Sequence, residues 1–511
     1  MKYIICVDVG TTGVKTALFN EKLEVVASAV DEYELLFTGK EMIELDCETY
    51  IDKIISGINK IQSSAGVDKN DIVAVGMTSQ GETVIPVSRD GSPLSNAIVW
   101  LDTRAKQEAQ ILSEKISFRK MYSTTGLESA SPASTLAKLM WYKNNHPEIF
   151  KIGTTFLLLL NFLVYKFTGS ISTDNVISAS TNYFDINNDC YFDKALQAAG
   201  INKQYIPKDI IKSGDIAGHL SKEMADRLGL KQGIPVCSCG IDQSASAVGA
   251  NNIEEGKLTV TIGTALVLAA VADKPVYDPD FPIYIARHYR DKYLYMPYSP
   301  CAGIILKWFK DNFCSEEIKR AEITGENVYS ILGDIASSVE PNIKDPVLLP
   351  HFSGILSPIK DDSARGVLFG LTLDADKPAI VKAVMESVGY MVKDNLKKME
   401  DHLKMDINEI YLLGGGSKSG VWCQMIADIT NHRVITYTQE ETTLLGTAIM
   451  TAVSAELIGS YQDGIALSVI PQKTYTADPK RLKVYEKLYE KYKDIYQALK
   501  PVFNKWQSDR N

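Results

Sequence analysis

The stretch CVDVGTTGVKTALF, Cys6 to Phe19, sets an Asp at the end of one alternating apolar run and a Gly-Thr-Thr-Gly turn before another. Alternation at period two on both sides predicts two strands joined by a tight turn. A P-loop needs GxxxxGK[ST] opening a helix, and a dinucleotide fingerprint needs GxGxxG doing the same. Here the glycines lead into a second strand, which excludes both. Two readings remain. One is a structural hairpin; the other is a hairpin whose N–H groups and Thr11 and Thr12 hydroxyls reach a phosphate. In the second, Asp8 at the strand end holds Mg2+ as a hard oxygen ligand.

Working outward, LEVVASAVDEYEL continues as a third strand and CETYIDKIISGINKIQSSAG spaces its apolar residues as a helix. IVAVGMTSQGETVIPV returns to strands, RAKQEAQILSEKI reads as a helix, and Ser134 to Phe167 is mainly helical. Within that region FLLLLNFLVYKF, Phe156 to Phe167, predicts a buried helix, far short of the ~20 residues that span a bilayer. The second half repeats the theme: KLTVTIGTALVLAAVA, Lys257 to Ala272, is another strand–turn–strand with Gly-Thr at its turn. A long amphipathic helix, KPAIVKAVMESVGYMVKDNLKKMEDHL, precedes the strand of EIYLLGGGSKSG and the helix VWCQMIADITN. The Tyr-rich stripe of the last helix, RLKVYEKLYEKYKDIYQALKPVF, predicts core contact. This is an α/β plan. The short likeness of VDVGTTGVKTALF to VTIGTALVLAA, near the start of each half, points to two duplicated domains, 1–250 and 251–511, divided near Ala250.

Length and charge bound the function. The 511 residues predict roughly two to four domains. A net charge of −9 argues against nucleic acid, whose binding draws on clustered Lys and Arg. It leaves room for an anionic cofactor, because a few backbone N–H groups hold phosphates without net positive charge. Cys237 and Cys239 stand one residue apart, which fits neither a redox CxxC nor common zinc spacing, and the histidines show no metal-ligand pairing. Cys6 and Cys237 lie in apolar runs and read as core residues. MKYIICVDVG starts directly in a strand pattern without an apolar signal region. The expectation is a soluble, reduced, cytoplasmic protein with no membrane partner.

Three further motifs carry chemistry. In GIDQSASAVGA, Asp242 follows an apolar strand at a strand-to-helix junction, where it serves as a general base or as the cap of the next helix. In LLGGGSKSG, Gly414, Gly415 and Gly416 let a flat ligand approach the backbone, or simply serve tight packing. SQGETVIPV and AIVWLDTR bring Gln80, Gly81, Glu82, Trp100 and Asp102 near two strand ends. Carboxylates with an indole face suit a sugar; solvated loop charges are the alternative.

In order and spacing, nine segments resemble the FGGY carbohydrate kinases, the family of glycerol, xylulose and gluconate kinases. They are DVGTTGVKTALF, GMTSQGETV, AIVWLDTRA, TLAKLMWYKNN, GIDQSASAVGA, TIGTA, SPCAGIILKWF, RGVLFGLTLDADKPAIVKAVMES and LLGGGSKS. Gly366 to Glu386 follows the second family signature, with Ala379 where a polar residue is usual. The resemblance implies two ribonuclease H-like domains of the actin and hexokinase superfamily with an ATP- and sugar-binding cleft between them. It implies a Mg2+-site carboxylate at Asp8, a first phosphate turn at Gly10, Thr11 and Thr12 with Lys15 nearby, and a second at Gly263 and Thr264. Gly414, Gly415, Gly416 and Ser417 would border the adenosine, with Gly303 and Lys307 near the nucleotide. Asp242 matches the catalytic base, Gln243 a sugar contact, Glu82 an acidic polyol contact and Trp100 an aromatic wall.

The expected reaction is transfer of phosphate from ATP to a sugar or polyol hydroxyl, with homodimers common in the family. Two departures bear on substrate. Gly81 precedes Glu82 where glycerol kinases carry Arg and xylulose kinases a Met-His pair, and Ala133 stands where glycerol kinases place a Tyr. The smaller side chain leaves room for a ketose such as xylulose or a longer polyol, ahead of glycerol or gluconate. ATP-hydrolysing chaperones and actins share the superfamily, and a non-catalytic sugar-binding regulator is the reading of a different class. The cluster of Glu82, Trp100 and Asp242 and the retained Gly-Thr turns stand against them.

Overall fold

In the computed structural model, which describes residues 1–280, 282–404, 406–439 and 441–508, the opening stretch forms β1 (Tyr3–Val9) and β2 (Gly13–Asn20). They pair antiparallel with Asp8 opposite Lys15. β3 (Val25–Glu32) adds an antiparallel strand, as its alternation predicts. Helix α1 (Cys47–Ala65) starts at Asp46, whose side chain accepts from the Glu48 N–H, an N-cap of the usual kind. Its Ile51, Ile54, Ile58 and Ile61 recur at helical spacing and bury against Ile5, Val7 and Val9. β4 (Ile72–Ser79) then pairs parallel with β1.

Helix α2 (Thr135–Asn145) follows, but the helical reading of Ser134 to Phe167 holds only in part. Thr155–Leu158 is a strand pairing with Val84–Val87, and the helix of that apolar run begins at Leu159. A run apolar on every face suits a buried strand as well as a buried helix, so periodicity did not separate them. That strand closes an antiparallel sheet in the order Leu36–Gly39, Met42–Leu45, Ala97–Ile98, Val84–Val87, Thr155–Leu158. β5 (Ile216–His219) and β6 (Pro235–Ile241) complete the main sheet, ordered β5-β6-β4-β1-β2-β3. Helix α3 (Asp242–Gly249) follows β6 directly.

β7 (Lys257–Ile262) and β8 (Leu266–Ala272) form the second hairpin. After β9 (Tyr284–Arg287) come α4 (Gly303–Phe313) and the long α5 (Lys377–Leu403). β10 (Glu409–Leu413) pairs parallel with β7, and α6 (Gly420–Thr430) leads to β11 (Arg433–Tyr437), parallel to β10. α7 (Thr442–Ser454) precedes β12 (Pro471–Tyr475), antiparallel to β11, and α8 (Pro479–Ser508) closes the chain. Tyr485, Leu488, Tyr489, Tyr492, Ile495 and Tyr496 of α8 are buried in one apolar cluster, so the tyrosine stripe is core.

The chain divides into two units. The first holds Met1–Ile253, Ala272–Leu294 and Glu441–Ile470; the second holds Glu254–Val271 and the described residues of 295–440 and 471–508. The main crossing falls three residues beyond Ala250, but two later segments rejoin the first unit, which a single cut at 250 does not capture. Both units carry the same order: an antiparallel hairpin, two parallel strands, then an antiparallel edge strand. It runs β2-β1-β4-β6-β5 in the first and β8-β7-β10-β11-β12 in the second. The short likeness in sequence is thus a duplication of topology. In the first unit α7 packs on β1 and β4. Val75 and Met77 face the α1 side, while Gly76 points the other way, where an added Cβ would fall 1.8 Å from the Thr451 hydroxyl of α7. Among the described residues no helix is long and apolar enough to cross a membrane.

Candidate active site

In the first unit, the turn after β1 is closed by a hydrogen bond from the Gly10 N–H to the Gly13 carbonyl, 3.0 Å. Tyr33 anchors it twice, its hydroxyl donating to the Gly10 carbonyl and its N–H to the Thr12 carbonyl. Asp8 sits at the strand end, buried, with Oδ1 lacking any hydrogen-bond partner among the described residues. Burial raises its carboxyl to about 7; the Asp242 charge adds to the rise, Lys15 opposes it and Glu441 adds a smaller push. Lys15 itself pairs with Glu441 at 2.6 Å.

The neighbouring strand end supplies the second group. The Gln80 N–H donates to the Val9 carbonyl at 3.0 Å, tying the two strand ends together. Gln80 Oε1 is buried and unpartnered, and Nε2 lies 3.5 Å from the Tyr50 hydroxyl. Glu82 holds φ at +56°, the left-handed region that a non-glycine residue occupies only under local constraint. Such strain gathers at functional sites. Burial raises the Glu82 carboxyl, with Lys138 opposing and Asp242 adding. Lys138, on α2, is fully buried, and its ammonium donates to the Val99 carbonyl at 2.9 Å and the Glu82 carbonyl at 3.3 Å. Burial pulls its pKa down, against the pull of Glu82. TLAKLMWYKNN contained this lysine, but a Lys among apolar residues gave no sign of a buried partner.

Trp100 joins the two loops: its indole N–H donates to Thr11 Oγ1 at 3.0 Å and its backbone N–H to Thr83 Oγ1 at 3.1 Å. Asp102 belongs elsewhere. It is fully buried, its oxygens taken by the Arg104 guanidinium at 2.7–2.9 Å and by the backbone N–H groups of Ile43 and Arg104. Expected as a sugar contact, it instead ties its loop to the strand Met42–Leu45.

Asp242 is the first residue of α3, after Ile241 at the cap position. Its Oδ1 accepts from the Gln243 N–H at 2.7 Å, and Oδ2 makes no hydrogen bond to any described residue. Burial raises the carboxyl to about 6, with that N–H opposing. Gln243 is exposed. The next residue, Ser244, hydrogen-bonds the buried His288 at 2.7 Å, a contact no motif foretold.

The second unit contains a cavity of about 490 Å³ lined by Gly263, Thr264, Gly303, Lys307, Gly415 and Gly416, six of the residues expected near a nucleotide. Gly303 begins α4 against the second turn: its N–H donates to the Gly263 carbonyl at 2.9 Å, and a Cβ there would stand 2.5 Å from that oxygen. Only glycine allows that approach. Gly414 and Ser417 do not line the cavity; the Ser417 hydroxyl donates to the Gly414 carbonyl at 2.8 Å and fixes the loop from behind. Lys307 is paired with Asp311 at 2.6 Å. Asn327, Tyr329 and Trp422 also line the space, drawn from segments without a motif.

Carboxylates on adjoining strand ends of one unit, a glycine-walled cavity in the other and a duplicated sheet define a class, the actin and hexokinase superfamily fold. The model of the FGGY family of carbohydrate kinases, N-terminal domain, matches residues 3–249, and that of the C-terminal domain matches residues 258–455. The chain belongs to this family and is a carbohydrate kinase. Among its relatives, a xylulose kinase of Staphylococcus xylosus is 27% identical over 97% of this chain and 100% of its own. A gluconokinase of Bacillus licheniformis is 26% identical over 97% of this chain and 96% of its own. The solved structure of a ligand-bound xylulose kinase from Lactobacillus acidophilus superposes with a TM-score of 0.88 at 25% identity, covering 99% of this chain and 100% of that one.

Proposed function

We propose that the protein transfers the γ-phosphate of ATP to a hydroxyl of a neutral sugar or polyol, a ketose such as xylulose or a longer polyol being favoured. The observation that carries this reading is Asp242. It stands at the start of α3 with one oxygen held by the Gln243 N–H and the other without a hydrogen bond among the described residues. Burial raises its pKa to about 6, which makes it more basic than an ordinary aspartate and suited to accept a proton as the substrate oxygen attacks. Glu82, Gln80 and Trp100 would bind the sugar, with Gln243 beside them. The small Ala133 supports a substrate larger than glycerol.

Within the first unit, Gly10, Thr11 and Thr12 would meet phosphate beside the sugar-binding groups; the second unit taken by itself has a glycine-walled cavity suited to an adenosine. A divalent ion fits Asp8, whose buried Oδ1 lacks a partner and is a hard oxygen donor. Among the described residues no group of three or more metal-ligating side chains exists, as suits Mg2+, which is commonly held by one or two carboxylates with waters and phosphates. Bound there, Mg2+ would offset charge on the transferring group. Positioning and electrostatics supply most of the catalysis in such transfers, so the chain's part is to orient the hydroxyl and take its proton. ADP release in a coupled assay, with xylulose, ribulose, gluconate, glycerol and C5–C6 alditols as acceptors, tests the reading. Turnover on a pentulose or longer alditol is expected; a preference for glycerol or gluconate would overturn the substrate, and no acceptor-stimulated release would overturn the reaction.

A further inference from the structure

We propose that Tyr284, on β9, is a substrate-contacting residue that selects the acceptor by hydrogen-bonding one of its hydroxyls. This rests on the sugar-kinase reading above. The Tyr284 hydroxyl is out of contact with solvent and has no hydrogen-bond partner among the described residues. A buried unpartnered hydroxyl costs folding free energy and persists where something else satisfies it. Of the eleven such atoms among the described residues, Gln80 Oε1 and Asp8 Oδ1 belong to the site already described, and it is the neighbouring carboxylates of that site that set Tyr284 apart from the rest. Burial drives the Tyr284 phenol up, and the Glu82 and Asp242 carboxylates, the acidic contact and the base, add to the rise.

Its position is built, not incidental. On one side the Ile283 N–H donates to the Tyr122 hydroxyl at 3.2 Å; on the other the Ile285 N–H donates to the Gly126 carbonyl at 3.0 Å. Gly126 holds φ at +73°, and a Cβ there would fall 1.9 Å from the Ile285 carbonyl oxygen, so the strand is seated on a position only glycine fills. Past β9, His288 grips the catalytic helix. Its Nε2 lies 3.2 Å from the Asn252 carbonyl, which only accepts, so Nε2 carries the proton and Nδ1 accepts from the Ser244 hydroxyl. Burial holds this imidazole neutral, its pKa pulled down to about 4. Tyr284 is thereby fixed relative to Asp242, two residues before Ser244. A phenol donor among carboxylate acceptors equips the site to tell a hydroxyl's lone pair from its proton, a discrimination that Glu82 and Asp242 alone do not provide.

The test is Tyr284→Phe, which removes one oxygen. With the preferred sugar, KM is expected to rise about tenfold while kcat changes less than threefold, and the thermal midpoint without ligand should stay or rise. A set of monodeoxy analogues should contain one that raises KM for the wild type and costs the variant nothing further. An unchanged KM in Tyr284→Phe, or a lowered thermal midpoint with KM intact, overturns the assignment and leaves the kinase reading standing. If the wild type shows no sugar-stimulated ADP release, both fall. The analogue set on wild-type protein also decides alone, since equal KM for every deoxy sugar refutes a selective hydroxyl contact.

Discussion

Replacing Asp8 by Asn should make the protein more stable and less active, and the size of the first effect follows from burial. An ordinary aspartate ionises near ~3.9, whereas Asp8 is raised to about 7 by desolvation and by Asp242. The folded state therefore binds a proton that the unfolded chain has released between those pH values, and stability falls as pH rises from about 4 to 7. Above pH 7 the full cost is present. At ~1.36 kcal/mol per pH unit the gap corresponds to roughly 4 kcal/mol, of which 2–4 should appear once local relaxation is allowed. Asn keeps the shape and discards the charge. Urea unfolding of wild type and Asp8→Asn at pH 5 and pH 8 measures it. The variant should exceed wild type at pH 8 by about 2–4 kcal/mol, by much less at pH 5, and should lose at least ~10²-fold in kcat. A variant less stable than wild type at pH 8, or a difference independent of pH, would show that the buried carboxylate is satisfied and the reasoning wrong.

The other predictions are shorter. Asp242→Asn should lower kcat by ~10² or more with little change in KM, measured by ADP release in folded protein. The wild-type kcat/KM should fall as pH drops below about 7, the Asp8 value, and more steeply below about 6, the Asp242 value; no steepening below 6 would remove Asp242 as base. Lys138→Met leaves the Val99 carbonyl without its 2.9 Å donor and Glu82 without its counter-charge, so unfolding free energy should drop by about 3–5 kcal/mol, read by urea titration. Gly303→Ala drives a methyl to 2.5 Å from the Gly263 carbonyl, and the thermal shift produced by ADP should shrink or vanish while the protein stays folded.

Local features were legible in the sequence because their causes are local. Period-two alternation around Gly10 and Gly263 gave both hairpins, and the strand-to-helix step put Asp242 at the head of a helix. What escaped depends on distant partners. Asp102 looked free because its second fastener, the Arg104 guanidinium, is itself oriented by Glu44, sixty residues earlier in the chain and 2.7 Å away. Lys138 and Tyr284 sit in stretches without punctuation, and their importance comes from carboxylates that folding brings near them, Glu82 for both and Asp242 for Tyr284. Thr155–Leu158 became a strand because Val84–Val87 offered an edge, a tertiary choice that overrides local pattern.

The return of the chain to its first unit has a consequence for biosynthesis. When Ala250 leaves the ribosome, the face of β4 that carries Gly76 still lacks α7, and Gly249 lacks the Gly446 backbone against which it packs. Helix α7 ends at Ser454, so at roughly 5–20 residues per second the half-made unit waits on the order of 10–40 s for its own last layer. Severing the gene near codon 250 would therefore yield not a free-standing first unit but a sheet with one bare face. The two halves share a five-strand order, yet the first is completed only by a segment made after most of the second.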